Sequence, residues 1–233
     1  MTAPNAKGPG GIGSMATRLL MTALAGAYER QSGQAIAMVA MGGVDVTKRV
    51  RAREPFDFAV LAAKVIDNLA AEGHLEPVRV DIARSAMVAA VRAGAKHPEI
   101  GSEAQLREAI LSGGRIGYST GPSGDHLIRV LEGWGLRESL APRLVLAPPG
   151  VAVARLLVED KIDLGFQQMS EFVDEPGIEV VAPLPAPVQL VTVFSAAVCV
   201  ASGHAAIARE FLAFAASTAT DDIKAACGMT PAR

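Results

Sequence analysis

Three segments of the chain combine glycines with hydroxyl-bearing or acidic residues directly before a helical pattern. They cover residues 10–18, 41–49 and 115–129. The first backbone N–H groups of a helix have no partner within the helix, so they can bind a carboxylate or an oxyanion without a formal positive charge. Each segment alone is also typical of an ordinary N-cap and turn. Together, the three segments predict one anionic ligand that is held from several sides.

The composition limits the classes of function. The 233 residues are 50% hydrophobic and 20% charged, which allows one large domain or two lobes of roughly 100 residues each. A net charge of -2 with only 4% aromatic residues argues against a nucleic-acid partner. Cys199 and Cys227 follow no metal-binding spacing, and the glycines at 8–13 lack the preceding strand of a dinucleotide fingerprint. The sequence therefore predicts no metal and no cofactor.

Apolar runs alternate with amphipathic segments along most of the chain, which predicts an α/β fold with mostly parallel strands. Ser102 and Gln105 have the spacing of a capping box at the start of one helix. The prolines at 183–187 interrupt the alternation, and a long β-rich run follows at 188–201, as in a chain that returns from one lobe to another. Predicted strands cover residues 35–40, 56–62, 86–91, 115–118, 143–147 and 162–166, and predicted helices cover residues 44–53, 65–72, 102–111, 123–133, 150–159 and 204–217.

Residues 19–27 form an apolar stretch after Arg18 that is too short to span a membrane. Their helical spacing predicts a helix that is capped by Ser14 and ends at Gly33. Residues 1–11 are expected to form a short frayed terminus. These patterns predict no membrane insertion and a cytoplasmic location, or a periplasmic location if a leader has been removed.

An ordered set of short motifs resembles the periplasmic molybdate-binding proteins, which have the type II solute-binding fold. The resemblance covers nearly the whole chain. It implies two α/β lobes with mixed, mostly parallel sheets and helices on both faces, joined by two crossovers, with the ligand in the cleft between them. The implied lobes are residues 1–82 with 188–233, and residues 83–187. The motifs are 13–15, 28–33, 42–43, 56–60, 82–85, 147–151, 161–166 and 227–231.

The resemblance, the three glycine-containing segments and the position of Arg84 at the first crossover together predict the ligand contacts. Where molybdate-binding proteins commonly place a tyrosine, this chain has Gln167 and Gln168, and it lacks their serine hydroxyl at Gly42 or Gly43. These departures favour a larger, planar carboxylate ligand. The predicted contacts are Ser14, Met15, Gly42, Gly43, Val44, Arg84, Ser119, Ser123, Gly124, Val151, Gln167 and Gln168.

The bacterial aconitate isomerases are similar to the molybdate-binding proteins, so this fold supports enzymes as well as receptors. That resemblance implies a cytoplasmic isomerase that shifts a proton along an unsaturated polycarboxylate, converting cis- and trans-aconitate without a cofactor. Asp45 and Lys48, in the first turns of a predicted helix, are then the predicted catalytic residues. The same two residues are also an ordinary i, i+3 surface pair. The alternative function is a non-catalytic binding protein for a small oxyanion or carboxylate, serving an ABC transporter or a sensor.

Overall fold

A computed structural model of the protein describes residues 8–148, 150–173 and 175–233. Strands and helices alternate along most of the chain, as the hydrophobic pattern predicts. The elements, in chain order, are β1 (Gly10–Ser14), α1 (Arg18–Ser32), β2 (Ala37–Met41), α2 (Gly43–Arg51), β3 (Phe58–Ala62), α3 (Ala63–Ala71), β4 (Val80–Arg92), α4 (Glu103–Ser112), β5 (Ile116–Tyr118), α5 (Pro122–Gly133), α6 (Arg137–Leu140), β6 (Leu144–Leu146), α7 (Val153–Val158), β7 (Leu164–Gln168), β8 (Ile178–Pro183), β9 (Val191–Val198), α8 (Ala205–Ala216), α9 (Asp221–Ala226) and β10 (Thr230–Pro231).

The chain forms two compact units. The first unit contains residues up to Ser85 and those from Thr192 to Arg233, and the second contains Ala86–Val191. The backbone passes from the first unit to the second within β4, and it returns at the start of β9. The resemblance implies crossovers near residues 80–85 and 185–192, and the contacts within the chain put the two passages after Ser85 and Val191.

In the first unit, β1 lies between β2 and β3 and is parallel to both. Strand β3 pairs antiparallel with β9, and β9 lies beside β4. The short strand β10 pairs antiparallel with β4 near Arg84. Helices α1 and α8 cover one face of this sheet, where Tyr28 and Phe58 each pack against Phe211 with ring centroids 5.4 and 5.3 Å apart. Helices α2 and α3 cover the other face.

In the second unit, the later part of β4 pairs antiparallel with both β7 and β8. Strand β5 lies between β7 and β6 and is parallel to both. Helices α4 and α5 bury Leu106, Ile110 and Leu127 against one face of this sheet. Helix α7 buries Val153 and Leu157 against the other face. Each unit is therefore a sheet with an apolar core on both sides, in which parallel strands are followed by helices.

Several local predictions are confirmed. The Ser102 hydroxyl accepts a hydrogen bond from the backbone N–H of Gln105 at 3.2 Å, as a capping box requires. Gly33 ends α1 with a left-handed backbone, at a φ of 75° that glycine adopts without strain.

Two predictions about the N-terminal region are wrong. Gly10 and Gly11, expected in a frayed terminus, form the start of the buried strand β1, while residues 1–7 lie outside the described residues. A Cβ at position 11 would lie 2.2 Å from Cζ of Phe58, so the ring of Phe58 packs where a side chain would otherwise be. Ser14 does not cap α1 through its side chain, because a 3-10 turn at Met15–Thr17 separates it from the helix.

Strand β8 of the second unit was also not predicted from the sequence.

Candidate functional site

Three parallel strands of the first unit end at the same edge of its sheet. Ser14, the last residue of β1, pairs in register with Met41 at the end of β2, and Gly13 pairs with Val60 near the end of β3. A 3-10 turn, α2 and α3 follow these three strands almost directly. The edge therefore brings several helix starts together, and their first N–H groups lack partners within the helices.

Ser14 supplies a hydroxyl at this edge. Its Oγ is buried and has no hydrogen-bond partner among the described residues. Its carbonyl oxygen accepts a hydrogen bond from the hydroxyl of Thr17 at 2.9 Å, so the backbone of Ser14 is already tied to the following turn. Buried hydroxyls normally have a partner, and an unpaired one at a sheet edge is suited to a bound ligand.

The Gly42-Gly43 segment begins α2 as predicted. The carbonyl of Gly42 accepts the first helical hydrogen bonds, from the N–H groups of Asp45 and Val46. Gly43 and its neighbour Gly42 are partly buried, while Val44 is exposed. The remaining N–H groups of this first turn are the kind that bind anions.

The structure places Asp45 and Lys48 as an exposed pair on α2. Their Oδ1 and Nζ atoms are 3.6 Å apart, and the side chains are 55% and 71% exposed. This is the surface arrangement that their i, i+3 spacing also allows. Their catalytic role stays a prediction.

Arg84 lies in the first unit, where Nη2 donates to the backbone carbonyl of Ala232 at 2.8 Å. This contact holds the C-terminal segment next to β4. Met15 is partly buried in the 3-10 turn that follows Ser14.

Three parallel strands of the second unit also end at a common edge. Tyr118, at the end of β5, pairs with Leu146 of β6 and with Phe166 of β7. The segment after Tyr118 turns tightly into α5. Position 124 accepts only glycine without distortion, because a Cβ there would lie 1.8 Å from the carbonyl oxygen of Ser119.

The hydroxyls predicted at this turn are brought together. Ser119 Oγ and Ser123 Oγ are 3.4 Å apart, and Ser123 is buried. Val151, in the loop before α7, is also at this edge, but its N–H donates to the carbonyl of Pro148 at 2.9 Å. The structure thus assembles Ser119, Ser123 and Gly124 around the start of a helix of 12 residues.

The two glutamines at the end of β7 are buried. Both ends of the Gln167 amide bind inside the second unit: Oε1 accepts from the N–H of Val153 at 3.3 Å, and Nε2 donates to Oε1 of Glu171 at 2.7 Å. The role of Gln167 and Gln168 as ligand contacts stays a prediction.

Glu171 also lies at this edge, but it is not among the site residues predicted from the sequence. It ends the 3-10 turn Met169–Glu171, which directly follows β7. Burial raises the pKa of the Glu171 carboxyl to about 7, and the hydrogen bond from Gln167 offsets only part of that effect. The available sequence signal was a carboxylate placed just after an apolar strand and beside Phe172. That signal does not show whether the carboxyl is buried.

Metal-ligand groups and thiols are the remaining candidates for a site. Among residues 8–148, 150–173 and 175–233, no three His, Cys, Asp or Glu side chains are grouped so that they could hold a metal ion. Both cysteines are buried free thiols, and burial raises the pKa of Cys199 to about 12. Cys199 is therefore a poor nucleophile at neutral pH.

No helix in the described part of the chain is long and apolar enough to cross a membrane.

Solved structures of substrate-binding proteins share the fold of this chain. The periplasmic molybdate-binding protein of Azotobacter vinelandii superimposes with a TM-score of 0.81 and 18% identity, covering 97% of this chain and 100% of that one. The substrate-binding domain of a putative molybdenum ABC transporter from Clostridium difficile superimposes with a TM-score of 0.74 and 17% identity, covering 97% and 99% of the two chains. These likenesses confirm the predicted fold.

A curated relative has a sequence similar to this chain over most of its length. It is an aconitate isomerase from a Pseudomonas species, 30% identical over 209 residues, with 83% of this chain and 76% of the relative covered. The family model for bacterial extracellular solute-binding proteins matches residues 12–230, which include both units. The chain therefore belongs to the bacterial extracellular solute-binding protein family.

Proposed function

We propose that this protein is an isomerase that interconverts cis- and trans-aconitate by moving a proton along the carbon chain. The observation that carries the proposal is the 30% identity with the Pseudomonas aconitate isomerase across most of both chains. Membership of a solute-binding family supports a small dissolved ligand. The proposal adds that this ligand is an unsaturated tricarboxylate and that it is chemically changed.

The polar groups described above match a tricarboxylate. A carboxylate accepts hydrogen bonds, and the free N–H groups at helix starts are donors that can bind it. In the first unit, the start of α2 provides backbone N–H groups, and the hydroxyl of Ser14 is a buried donor without a partner among the described residues. In the second unit, the start of α5 provides backbone N–H groups of the same kind. Such fixed donors also stabilise the extra negative charge that develops on a carboxylate when a neighbouring carbon loses a proton.

The reaction needs one proton to leave and one to return. A base takes a proton from the methylene carbon of aconitate, and the electron pair of that C–H bond forms a new double bond to the central carbon. The electrons of the former double bond then take a proton at the far carbon, which becomes the new methylene. No oxidant, reductant or cofactor is required, and the net composition of the substrate does not change.

We expect the purified protein to convert cis-aconitate in D2O. Proton NMR should show the trans isomer appearing, together with deuterium at the methylene carbon, because the proton that is removed can exchange with solvent. If neither conversion nor exchange occurs at high protein concentration, the isomerase proposal is rejected. Calorimetric titration with molybdate and a series of carboxylates then tests the non-catalytic alternative.

We expect Ser14→Ala to weaken ligand binding without harming the free protein. Propane-1,2,3-tricarboxylate, a saturated analogue that cannot isomerise, is the ligand for titration calorimetry. Its affinity should fall roughly 10- to 150-fold, since a hydrogen bond to a charged group contributes about 1.5–3 kcal/mol. Thermal unfolding without ligand should be unchanged, because the Ser14 hydroxyl has no partner among the described residues.

The matched control for this prediction is Ser139→Ala. The Ser139 hydroxyl donates to the carbonyl of Leu136 at 3.0 Å on the surface of the second unit. This variant should bind the analogue as the wild type does. Equal affinity of the Ser14 variant and the wild type would remove Ser14 from the binding site.

A further inference from the structure

Glu171 lies at the end of a short chain of hydrogen bonds in the second unit. The N–H of Val153, at the start of α7, donates to Oε1 of Gln167 at 3.3 Å. This contact leaves Nε2 of Gln167 facing Glu171, and Nε2 donates to Oε1 of the carboxyl at 2.7 Å. The amide of Gln167 is therefore fixed in one orientation, and it holds the carboxyl of Glu171 in place.

No charged group among the described residues neutralises Glu171. Desolvation shifts the pKa of its carboxyl upwards, and within the described part of the chain the hydrogen bond from Gln167 is the contribution that opposes this shift. Arg155 of α7 and Glu159, the residue that directly follows this helix, pair with each other at 2.6 Å at the surface. Glu175, in the segment after the 3-10 turn, is partly exposed. A buried carboxyl without a cation is costly to keep ionised.

The carboxyl lies at the same sheet edge as the α5 turn. Strands β5 and β7 are parallel neighbours, with Tyr118 paired to Phe166. The chain runs from Tyr118 into the turn at Ser119 and Ser123, and from Phe166 through Gln167 to Glu171. The carboxyl ends of neighbouring parallel strands are where α/β proteins bind ligands. Potential anion donors and a partly buried proton acceptor thus follow adjacent strands of one unit.

We propose that Glu171 is the catalytic base that takes the methylene proton of the bound polycarboxylate, an inference that rests on the isomerase function proposed above. Asp45, the base predicted from the sequence, is exposed and paired with Lys48. Glu171 is instead desolvated and held by a neutral amide, which leaves its carboxylate more reactive towards a carbon-bound proton. A general base works best when its pKa lies close to the working pH, and burial raises that of Glu171 to about 7.

Glu171 alone can both remove and return a proton, so no second acid or base is needed. The ionised carboxyl takes a proton from the methylene carbon, and the new double bond forms as described above. The protonated carboxyl then gives a proton to the far carbon of the same substrate. Glu171 returns to its ionised form after each turnover, and Gln167 keeps its hydrogen bond to the carboxyl throughout.

Glu171→Gln tests this role because glutamine can accept the hydrogen bond from Gln167 but cannot take a proton. We expect its kcat for cis-aconitate to fall at least about 100-fold, with the affinity for propane-1,2,3-tricarboxylate changed less than about threefold. Glu108→Gln is the matched control: Glu108 is exposed on α4 in the same unit, and this variant should keep the wild-type rate.

The pH dependence of the wild-type enzyme is a second readout that needs no variant. The value of kcat/KM should rise up to about pH 7 and then level off, because only the ionised carboxyl is a base. If the wild type isomerises aconitate while Glu171→Gln keeps its rate within about threefold, the role of Glu171 is disproved and the isomerase function stands. A flat profile between pH 5 and 8 also contradicts the role. A wild type without turnover overturns both proposals.

Discussion

We expect the free energy of unfolding of Glu171→Gln to exceed that of the wild type by about 3 kcal/mol at pH 8. Near pH 4 the two free energies of unfolding should be the same. Burial raises the pKa of Glu171 from 4.5 to about 7 in the folded protein. The folded state therefore holds this proton more tightly than the unfolded state does. Each unit of difference in pKa corresponds to about 1.4 kcal/mol.

The direction of the pH effect follows from this difference. Between about pH 4.5 and 7, the unfolded chain loses the proton while the folded chain keeps it, so wild-type stability falls as the pH rises. Above pH 7 the carboxyl is ionised in both states, and the full cost remains. Glutamine cannot ionise, and it retains an acceptor for Gln167 Nε2, so the variant avoids this cost.

Urea unfolding of the wild type and variant at several pH values measures the effect. The Glu108→Gln control should show no pH-dependent difference from the wild type, because Glu108 is exposed. A Glu171→Gln protein that is less stable than the wild type at pH 8 would show that the ionised carboxyl supports the fold. Together, greater stability and lost turnover would identify Glu171 as a group kept for function at a cost to stability.

Asp57→Ala is expected to destabilise the protein by about 3–5 kcal/mol at pH 7. Asp57 is buried in the first unit, directly before β3. Its carboxylate accepts hydrogen bonds from the N–H of Gly10 at 2.8 Å, from Ser202 Oγ at 2.6 Å and from the N–H of His204 at 3.1 Å. Alanine would leave the buried N–H of Gly10 without this acceptor and would remove the hydrogen bonds from the partly buried Ser202 and His204, and each such loss costs about 1–3 kcal/mol.

The pH dependence of Asp57 is opposite to that of Glu171. Burial alone would raise the pKa of Asp57, but the hydrogen bonds from Ser202, Gly10 and His204 outweigh it and lower the pKa below 3.8. The stabilisation is therefore present above the unfolded-state pKa and is lost as the pH falls through the folded-state pKa. The difference between wild type and Asp57→Ala should narrow below about pH 4.

Urea unfolding of Asp57→Ala beside Asp67→Ala separates this network from an ordinary ion pair. Asp67 is 53% exposed and pairs with Arg79 at the surface. Its loss should cost less than about 1 kcal/mol. If the two variants are destabilised equally, the Asp57 network does not stabilise the first unit in the way described.

Much of the fold follows from local features of the sequence. Apolar runs and amphipathic segments alternate along the sequence, and this pattern of residue types predicts the order of most strands and helices. Capping by Ser102 and the stop at Gly33 depend only on neighbouring residues. The glycines and serines of the three segments predicted to bind an anion also lie next to one another in the chain. The helix starts near Gly43 and Pro122 could therefore be predicted from the sequence.

The groups that the sequence did not reveal depend on contacts between distant residues. Strand β1 contains three glycines, a poor strand composition, and it forms where Phe58 covers Gly11 from 47 positions further along the chain. Asp57 is held by His204, and no local pattern links them.

The same distinction between local and tertiary features applies to the proposed polycarboxylate site. The sequence alone determined which segments offer N–H groups and hydroxyls, because these depend on residue type and helix position. Only the tertiary structure decided that Asp45 is exposed and that Glu171 is partly buried and desolvated, without a charged partner among the described residues. Removal of water from a carboxyl is a property of all the chain segments packed around it, and it sets which carboxyl can hold a proton near neutral pH.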